Sequence, residues 1–256
     1  MSAIHPKKSL GQHFLQDENI ARKIVASFRR EGISEVLEIG AGRGVLTKYL
    51  LKEKQYAVSA IEIDKKNVEY LKSAFPDHKD RIIHQDILQY NLKPAKNPYA
   101  VIGNFPYNIS SQIFFWILKN RNQISEIVCM VQKEVAKRIA SGPGVKAYGI
   151  LSVLLQAYFD IDLLFTVSPK VFYPIPKVYS AVIRLVRNRI NKLECDEDLF
   201  FQVVKTCFSQ RRKIIKNSIR KLYAGTLPED EIMQKRPEQL GIQQFVEMTR
   251  KLQVLI

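Results

Sequence analysis

Glycines stand at positions 40, 42 and 44 in the stretch EIGAGRG (38–44), which closes an apolar run and opens a helical pattern. Glycine at such a junction lets a ligand approach the backbone closely, and the N–H groups that start a helix have no partner inside it. Dinucleotide binders space these glycines G-x-G-x-x-G and hold a pyrophosphate there, so the tighter G-x-G-x-G suits a ligand that lacks one. Glu62 ends a second strand-like run 22 residues after Gly40, the place of an acid that hydrogen-bonds ribose hydroxyls. Asp86 ends a third run and Asn104 a fourth. Singly, each feature also fits a tight turn or a helix cap. Together, at the carboxyl ends of successive strands, they mark where open α/β sheets bind ligands. A nucleoside cofactor is implied, and S-adenosylmethionine fits better than NAD.

The fourth run exits through GNFPYNIS (103–110), an aromatic-rich end for a buried strand. Asn104-Phe105-Pro106-Tyr107 fits the (N/D)-x-P-(Y/F) pattern of amino-group methyltransferases. An exocyclic adenine amine is a poor nucleophile, because its lone pair is delocalised into the ring. The Asn104 side-chain oxygen and a backbone carbonyl near Phe105 or Pro106 could take both N–H groups and aim the lone pair at a methyl donor. Catalysis would then rest on positioning and electrostatic preorganisation. Tyr107 would stack on the base, Pro106 would restrict the loop, and the base would have to leave its helix. The competing reading is a proline turn with aromatics capping the core.

The elements needed to hold these residues are legible. Strands are expected at 35–40, 56–64, 81–88, 99–104 and 126–132, alternating with helices at 45–52, 67–75, 111–120 and 133–140. That alternation predicts βαβ units and a parallel sheet. A helix with Asp17 as its cap precedes them, burying Ile20, Ile24, Val25 and Phe28. A long apolar helix (147–159) and two paired edge strands (161–168, 180–186) follow, and beyond Arg187 only helices are expected. The expected fold is therefore α/β, a Rossmann-like class I methyltransferase sheet in residues 1–188 with a small all-α domain in 189–256.

The 256 residues carry a formal net charge of +15, which points to a polyanionic partner. Lys205, Arg211, Arg212, Lys213, Lys216, Arg220 and Lys221 lie in one segment that contains no acid. A basic helix over 211–221 is expected to contact RNA phosphates through Arg211, Arg212, Lys213, Lys216, Arg220 and Lys221, with Ile215, Ile219 and Leu222 packing beneath; solubility is the competing reading. Cys129, Cys195 and Cys207 form no C-x-x-C pair and are read as buried apolar residues; the four histidines show no ligand spacing, so no metal is expected. No apolar stretch approaches the ~20 residues of a membrane span, and the N-terminal segment lacks a signal-peptide core, which places the expected location in the cytoplasm.

The sequence resembles the ribosomal RNA adenine N6-dimethyltransferases, most closely the bacterial small-subunit enzymes. The likeness runs through KKSLGQHFLQD (7–17), EIGAGRGVLT (38–47), IEID (61–64), QDIL (85–88), GNFPYNIS (103–110), 132–156, VFYPIPKVYSAVIRL (171–185) and FSQRRKIIKNS (208–218). This resemblance implies a cofactor set of His13, Leu15, Gly40, Gly42, Glu62, Ile63, Asp86, Ile87 and Asn104, and a catalytic set of Asn104, Phe105, Pro106, Tyr107 and Phe172. His13 replaces the asparagine of many relatives and Phe105 their leucine; Phe105 would contribute only backbone. The implied substrate is a pair of adjacent adenosines in the 3′-terminal hairpin of small-subunit (16S) ribosomal RNA, within a pre-30S particle, acted on by a monomer. Two alternatives accompany it: a resistance methyltransferase acting on large-subunit RNA, and a non-catalytic assembly factor. The segments SGPGVKAYGILSVLLQ and FSQRRK favour the small-subunit reading.

Overall fold

Runs rich in Val, Ile and Leu form the sheet, and the computed structural model describes residues 6–29, 32–223, 225 and 230–255. The strands are β1 (Phe14–Leu15), β2 (Glu35–Ile39), β3 (Ala57–Glu62), β4 (Ile82–His84), β5 (Tyr99–Asn104), β6 (Ile124–Gln132), β7 (Phe159–Val167), β8 (Phe172–Tyr173) and β9 (Ser180–Arg187). Seven of them make one sheet in the order β4-β3-β2-β5-β6-β9-β7. β4, β3, β2, β5 and β6 are parallel, and β9 runs antiparallel to β6. The chain builds outward from β2 to β4, then returns to the other side of β2 with β5. That reversal leaves a crevice at the carboxyl ends of β2 and β5. Burial on both faces explains why β5 reads as a continuous apolar run rather than an alternating one.

Helices α1 (Glu18–Val25), α2 (Thr47–Leu50), α3 (Lys65–Ala74), α4 (Ser110–Lys119) and α5 (Lys133–Ile139) follow the expected alternation. Asp17 caps α1 by accepting from the N–H groups of Asn19 and Ile20, at 2.8 and 3.0 Å. Such a cap contributes about 1 kcal/mol. Ile24, Val25 and Phe28 then bury against Val36, Ile102, Val128 and Met130.

Two compact units result: Met1–Ala136 with Ile161–Arg187, and Lys137–Asp160 with Asn188–Ile256. The second contains α6 (Ile150–Gln156), α7 (Glu197–Ser209), α8 (Ile215–Ile219) and α9 (Ile242–Gln253). Residues 137–160, counted with the first domain from sequence, group with these helices because α6 packs on α7. Phe208 joins this core, with ring centroids 6.0 Å from Tyr148 and 5.9 Å from Phe245. All three cysteines are buried and free, as their spacing suggested. Among the described residues, no helix is long and apolar enough to cross a membrane.

Several elements are shorter than their sequence patterns, among them α2, which covers four residues of the expected 45–52. The apolar helix expected over 147–159 is α6 alone, capped by Gly149 and ended before Phe159 enters β7. β4 stops at His84, because Asp86 starts a 3₁₀ turn by accepting from Leu88 N–H. The basic helix over 211–221 is reduced to α8: Ile214 is extended, and Ile215 N–H donates to Lys235 rather than back to Arg211.

Candidate active site

A cleft opens at the strand ends and is lined by Gly40, Gly42, Glu62, Ile63, Asp86, Ile87 and Asn104–Tyr107. The sheet order β4-β3-β2-β5 places the four sequence features side by side. Gly40, Gly42 and Gly44 all adopt left-handed backbone, with φ of +71°, +55° and +75°. A Cβ on Gly42 would sit 3.1 Å from two Phe14 ring carbons. One on Gly44 would meet Phe75 at 2.7 Å and Leu71 at 2.9 Å, so the third glycine serves packing against α3.

Glu62 is 4% exposed, with one oxygen accepting from Gly42 N–H and the other from Asp64 N–H, each at 2.8 Å. The carboxylate thus fixes the glycine loop as well as lining the cleft. The buried Asn67 side chain also faces this carboxylate, so at least one acceptor position remains for a further donor such as a ribose hydroxyl. Burial raises its pKa, against the lowering effect of the two N–H groups. Beneath the loop lies Glu38, 1% exposed, which accepts from the Thr47 hydroxyl at 2.6 Å. Burial first, and the Glu62 charge in addition, push its carboxyl up to about 7. The sequence reading did not single out Glu38; its only signal was one acid inside an apolar run. Asp86 caps its turn through Leu88 N–H at 2.9 Å and lines the cleft with Ile87. Ile63, 46% exposed, gives the same wall an open apolar face.

Asn104 Nδ2 donates to the His13 carbonyl at 2.8 Å, which orients the amide and leaves Oδ1 as its acceptor. Phe105 N–H bonds the Met130 carbonyl at 3.0 Å, while its ring is buried edge-on against Phe114. The ring is thus turned into the core. The Tyr107 hydroxyl is hydrogen-bonded to Ser180, and burial raises its pKa. The His13 ring stacks on Tyr107 at 5.2 Å and 28°. His13 Nδ1 lies 2.7 Å from the Pro174 carbonyl, so that nitrogen carries the proton. Nε2 is then the acceptor nitrogen of the neutral ring.

Two expected residues do not line this cleft, though Leu15 lines an adjoining cavity with Gly40, Gly42 and Asn104. Leu15 and Phe172 are paired across the β1–β8 ribbon, 5% and 1% exposed, inside the core with Ile102 and Val182. Alternation along a strand turns their neighbours Phe14 and Tyr173 the other way. Leu10, Gly11, Gln12, Phe14 and Gln85 line the cleft instead, without having been anticipated.

In the helical unit, Arg212, Lys213, Arg220 and Lys221 are exposed and Lys216 is half-buried. Arg211 is partly engaged, 3.4 Å from the Val145 carbonyl and 3.9 Å from Glu238.

Seven strands in this order, a left-handed glycine loop and acids at the neighbouring strand ends define a Rossmann-like class I methyltransferase fold. Two solved structures share it. A dimethyladenosine transferase from Plasmodium falciparum aligns with a TM-score of 0.74 at 22% identity, covering 92% of this chain and 96% of that one. The 23S rRNA methyltransferase ErmE aligns at 0.67 with 26% identity, covering 92% and 99%. The family model for ribosomal RNA adenine dimethylase matches residues 4–255, and the chain belongs to that family. The Ribosomal RNA small subunit methyltransferase A of Flavobacterium johnsoniae is 52% identical over 256 residues, 99% of this chain and 98% of that protein. That of Parabacteroides distasonis is 52% identical over 252 residues, covering 97% and 94%.

Proposed function

We propose that this chain is an S-adenosylmethionine-dependent enzyme that dimethylates the N6 amines of two adjacent adenosines in the 3′-terminal hairpin of 16S ribosomal RNA. It would act as a cytoplasmic monomer on a pre-30S particle. The observation that carries the reading is Asn104, whose amide nitrogen is tied to His13 so that Oδ1 is left to accept from a substrate amine beside the glycine loop. When bound, the cofactor supplies an electrophilic sulfonium methyl. The cleft suits it: Gly40 and Gly42 admit close backbone approach, Glu62 can accept from the ribose, and Asp86 can accept from the adenine amine between Ile63 and Ile87.

On the acceptor side, Asn104 Oδ1 takes one N–H of the adenine and a backbone carbonyl takes the other. The Pro106 carbonyl accepts from Ile109 N–H at 3.2 Å and keeps a second lone pair, so either the Phe105 or the Pro106 carbonyl can fill the second role. Those two acceptors draw the amine toward tetrahedral geometry and direct its lone pair at the donor. Tyr107 offers a ring held at both ends, by Ser180 and by His13. Proton loss follows transfer without a dedicated base. Arg212, Lys213, Lys216, Arg220 and Lys221 would hold RNA phosphates.

Identity of 52% to small-subunit relatives, against 26% to the 23S enzyme, supports the small-subunit target. The intact Glu62, Asp86 and Asn104–Tyr107 set supports chemistry over a purely architectural role. The test is transfer of labelled methyl from S-adenosylmethionine to undermethylated small subunits, reading N6,N6-dimethyladenosine. Asn104→Ala is expected to lower turnover by about 10²- to 10³-fold, the usual loss for one preorganised group, while S-adenosylhomocysteine affinity changes little. Undiminished turnover in that variant would refute the assigned role.

A further inference from the structure

The segment after the buried Phe172 exposes a cluster of large apolar side chains. Tyr173, Ile175, Val178 and Tyr179 are 47%, 65%, 43% and 54% exposed. This backbone is pinned to the cleft rim at successive points. Tyr173 is in register with Phe14 across the β1–β8 ribbon. The Pro174 carbonyl is hydrogen-bonded to His13, and Pro176 is buried. The Tyr179 carbonyl accepts from Lys133 N–H at 2.9 Å, and Ser180, fully buried, holds the Tyr107 hydroxyl. Rings on a fixed backbone lose little conformational entropy when something stacks on them.

Within the segment itself the charge is of one sign, although the exposed Glu134 follows Lys133 in the chain. No acid occurs between Leu163 and Ile183, and Lys170 and Lys177 are exposed. Lys133 Nζ lies 5.6 Å from the centre of the Tyr179 ring. Aromatic faces interleaved with lysines on a surface contiguous with a nucleotide-modifying cleft match the composition that grips unpaired nucleic acid. The hydrophobic core accounts for none of these side chains, and a protein partner would not call for the lysines.

We propose that Tyr173 and Tyr179 form a stacking platform for the unpaired bases flanking the extruded adenosine, with Lys133, Lys170 and Lys177 on the adjoining phosphates. The inference rests on the RNA-adenine reading of the cleft, whose occupant it extends by the neighbouring nucleotides. Extrusion of one base leaves its neighbours without a stacking partner, and a rigid tyrosine replaces it. Because the contact is to a π-face, the platform tolerates different bases, and discrimination remains with the cleft.

The test compares the full chain with the Tyr173→Ala/Tyr179→Ala variant on a short oligoadenylate and on an abasic strand of equal phosphate count. The expected result is a loss of about 5- to 150-fold per ring on oligoadenylate, with abasic-strand and S-adenosylhomocysteine affinities unchanged. Tyr→Trp replacements should restore binding. Equal oligoadenylate affinity in the variant overturns the proposal, as does an equal loss on both strands. Concentration-dependent self-association of the wild type that the variant abolishes also overturns it, by assigning the patch to a second copy. Methyl transfer by the wild type to undermethylated small subunits is measured separately. Its failure would remove the RNA-adenine reading without altering the base-versus-abasic comparison.

Discussion

Glu38→Gln isolates the effect of a single buried charge on the glycine loop. Glu38 is 1% exposed, and burial together with the Glu62 charge raises its carboxyl from 4.5 to about 7 in the folded chain. A carboxyl whose folded pKa is raised binds its proton more tightly when folded, so stability is fully present below pH 4.5 and declines as the pH rises to about 7. Integrating that linkage from pH 5 to pH 8 gives a loss of roughly 2–3 kcal/mol from this one group. Glutamine has nearly the same shape and its carbonyl can accept from Thr47, whose hydroxyl now lies 2.6 Å away, but it cannot ionise. The wild type is therefore expected to lose roughly 2–3 kcal/mol relative to Glu38→Gln between pH 5 and pH 8. Groups not coupled to Glu38, such as Asp230 whose pKa is lowered, cancel in the difference, whereas Glu62, whose charge acts on Glu38, adds to it. Denaturant unfolding of both chains at several pH values measures it. Parallel stability profiles would refute the argument, since they would mean that Glu38 is charged at no cost or was never buried.

Gly42→Ala combines a left-handed residue with a 3.1 Å approach to Phe14, whereas Gly32→Ala has φ +66° and open space around the new Cβ. Both should lose about 1–2 kcal/mol from backbone strain, but only Gly42→Ala should weaken S-adenosylhomocysteine binding, by calorimetry, tenfold or more. Ser180→Ala strands the Tyr107 hydroxyl in a largely buried position, at a cost of about 1–3 kcal/mol. Adding Tyr107→Phe should return most of that stability, and a double-mutant cycle that is additive would sink the idea. Arg212→Ala and Lys213→Ala should each reduce the slope of log affinity for small-subunit RNA against log salt by about 0.7–1, read by filter binding over a salt series; an unchanged slope would return these residues to a solubility role.

The strands were legible because parallel pairing buries both faces: β5 coincides with the expected 99–104, and β2 ends one residue before the expected 40. The site residues that end those strands were legible for the same reason, since sheet order converts sequence position into proximity. Side-chain direction in β1 and β8 was not. Both are two-residue strands, and nothing in QHFLQ or VFYPIP shows which member of each pair turns inward. The pairing Leu15 with Phe172 decides it, and that pairing spans more than 150 residues of sequence. Helix length failed similarly where tertiary hydrogen bonds intervene. Ile215 N–H prefers the Lys235 carbonyl to Arg211, a competition that no local pattern in RRKIIKNS displays.

His13 shows why the N-terminal arm matters to the chemistry proposed for the strand ends. Its carbonyl orients the Asn104 amide, its ring covers a face of Tyr107, and its Nδ1 holds the segment that leads to Ser180. Lys7, 2.9 Å from Asp64, ties the same arm to the turn beyond Glu62. The sheet can place Asn104 and Glu62 by itself, because each ends a hydrogen-bonded strand. It cannot set the rotation of the Asn104 amide, whose two ends differ only in whether they donate or accept. With the His13 carbonyl fixed by the β1–β8 ribbon, only Nδ2 can face it, so Oδ1 must face the other way. The arm therefore determines which end of Asn104 a substrate amine meets, without any arm side chain needing to touch that amine.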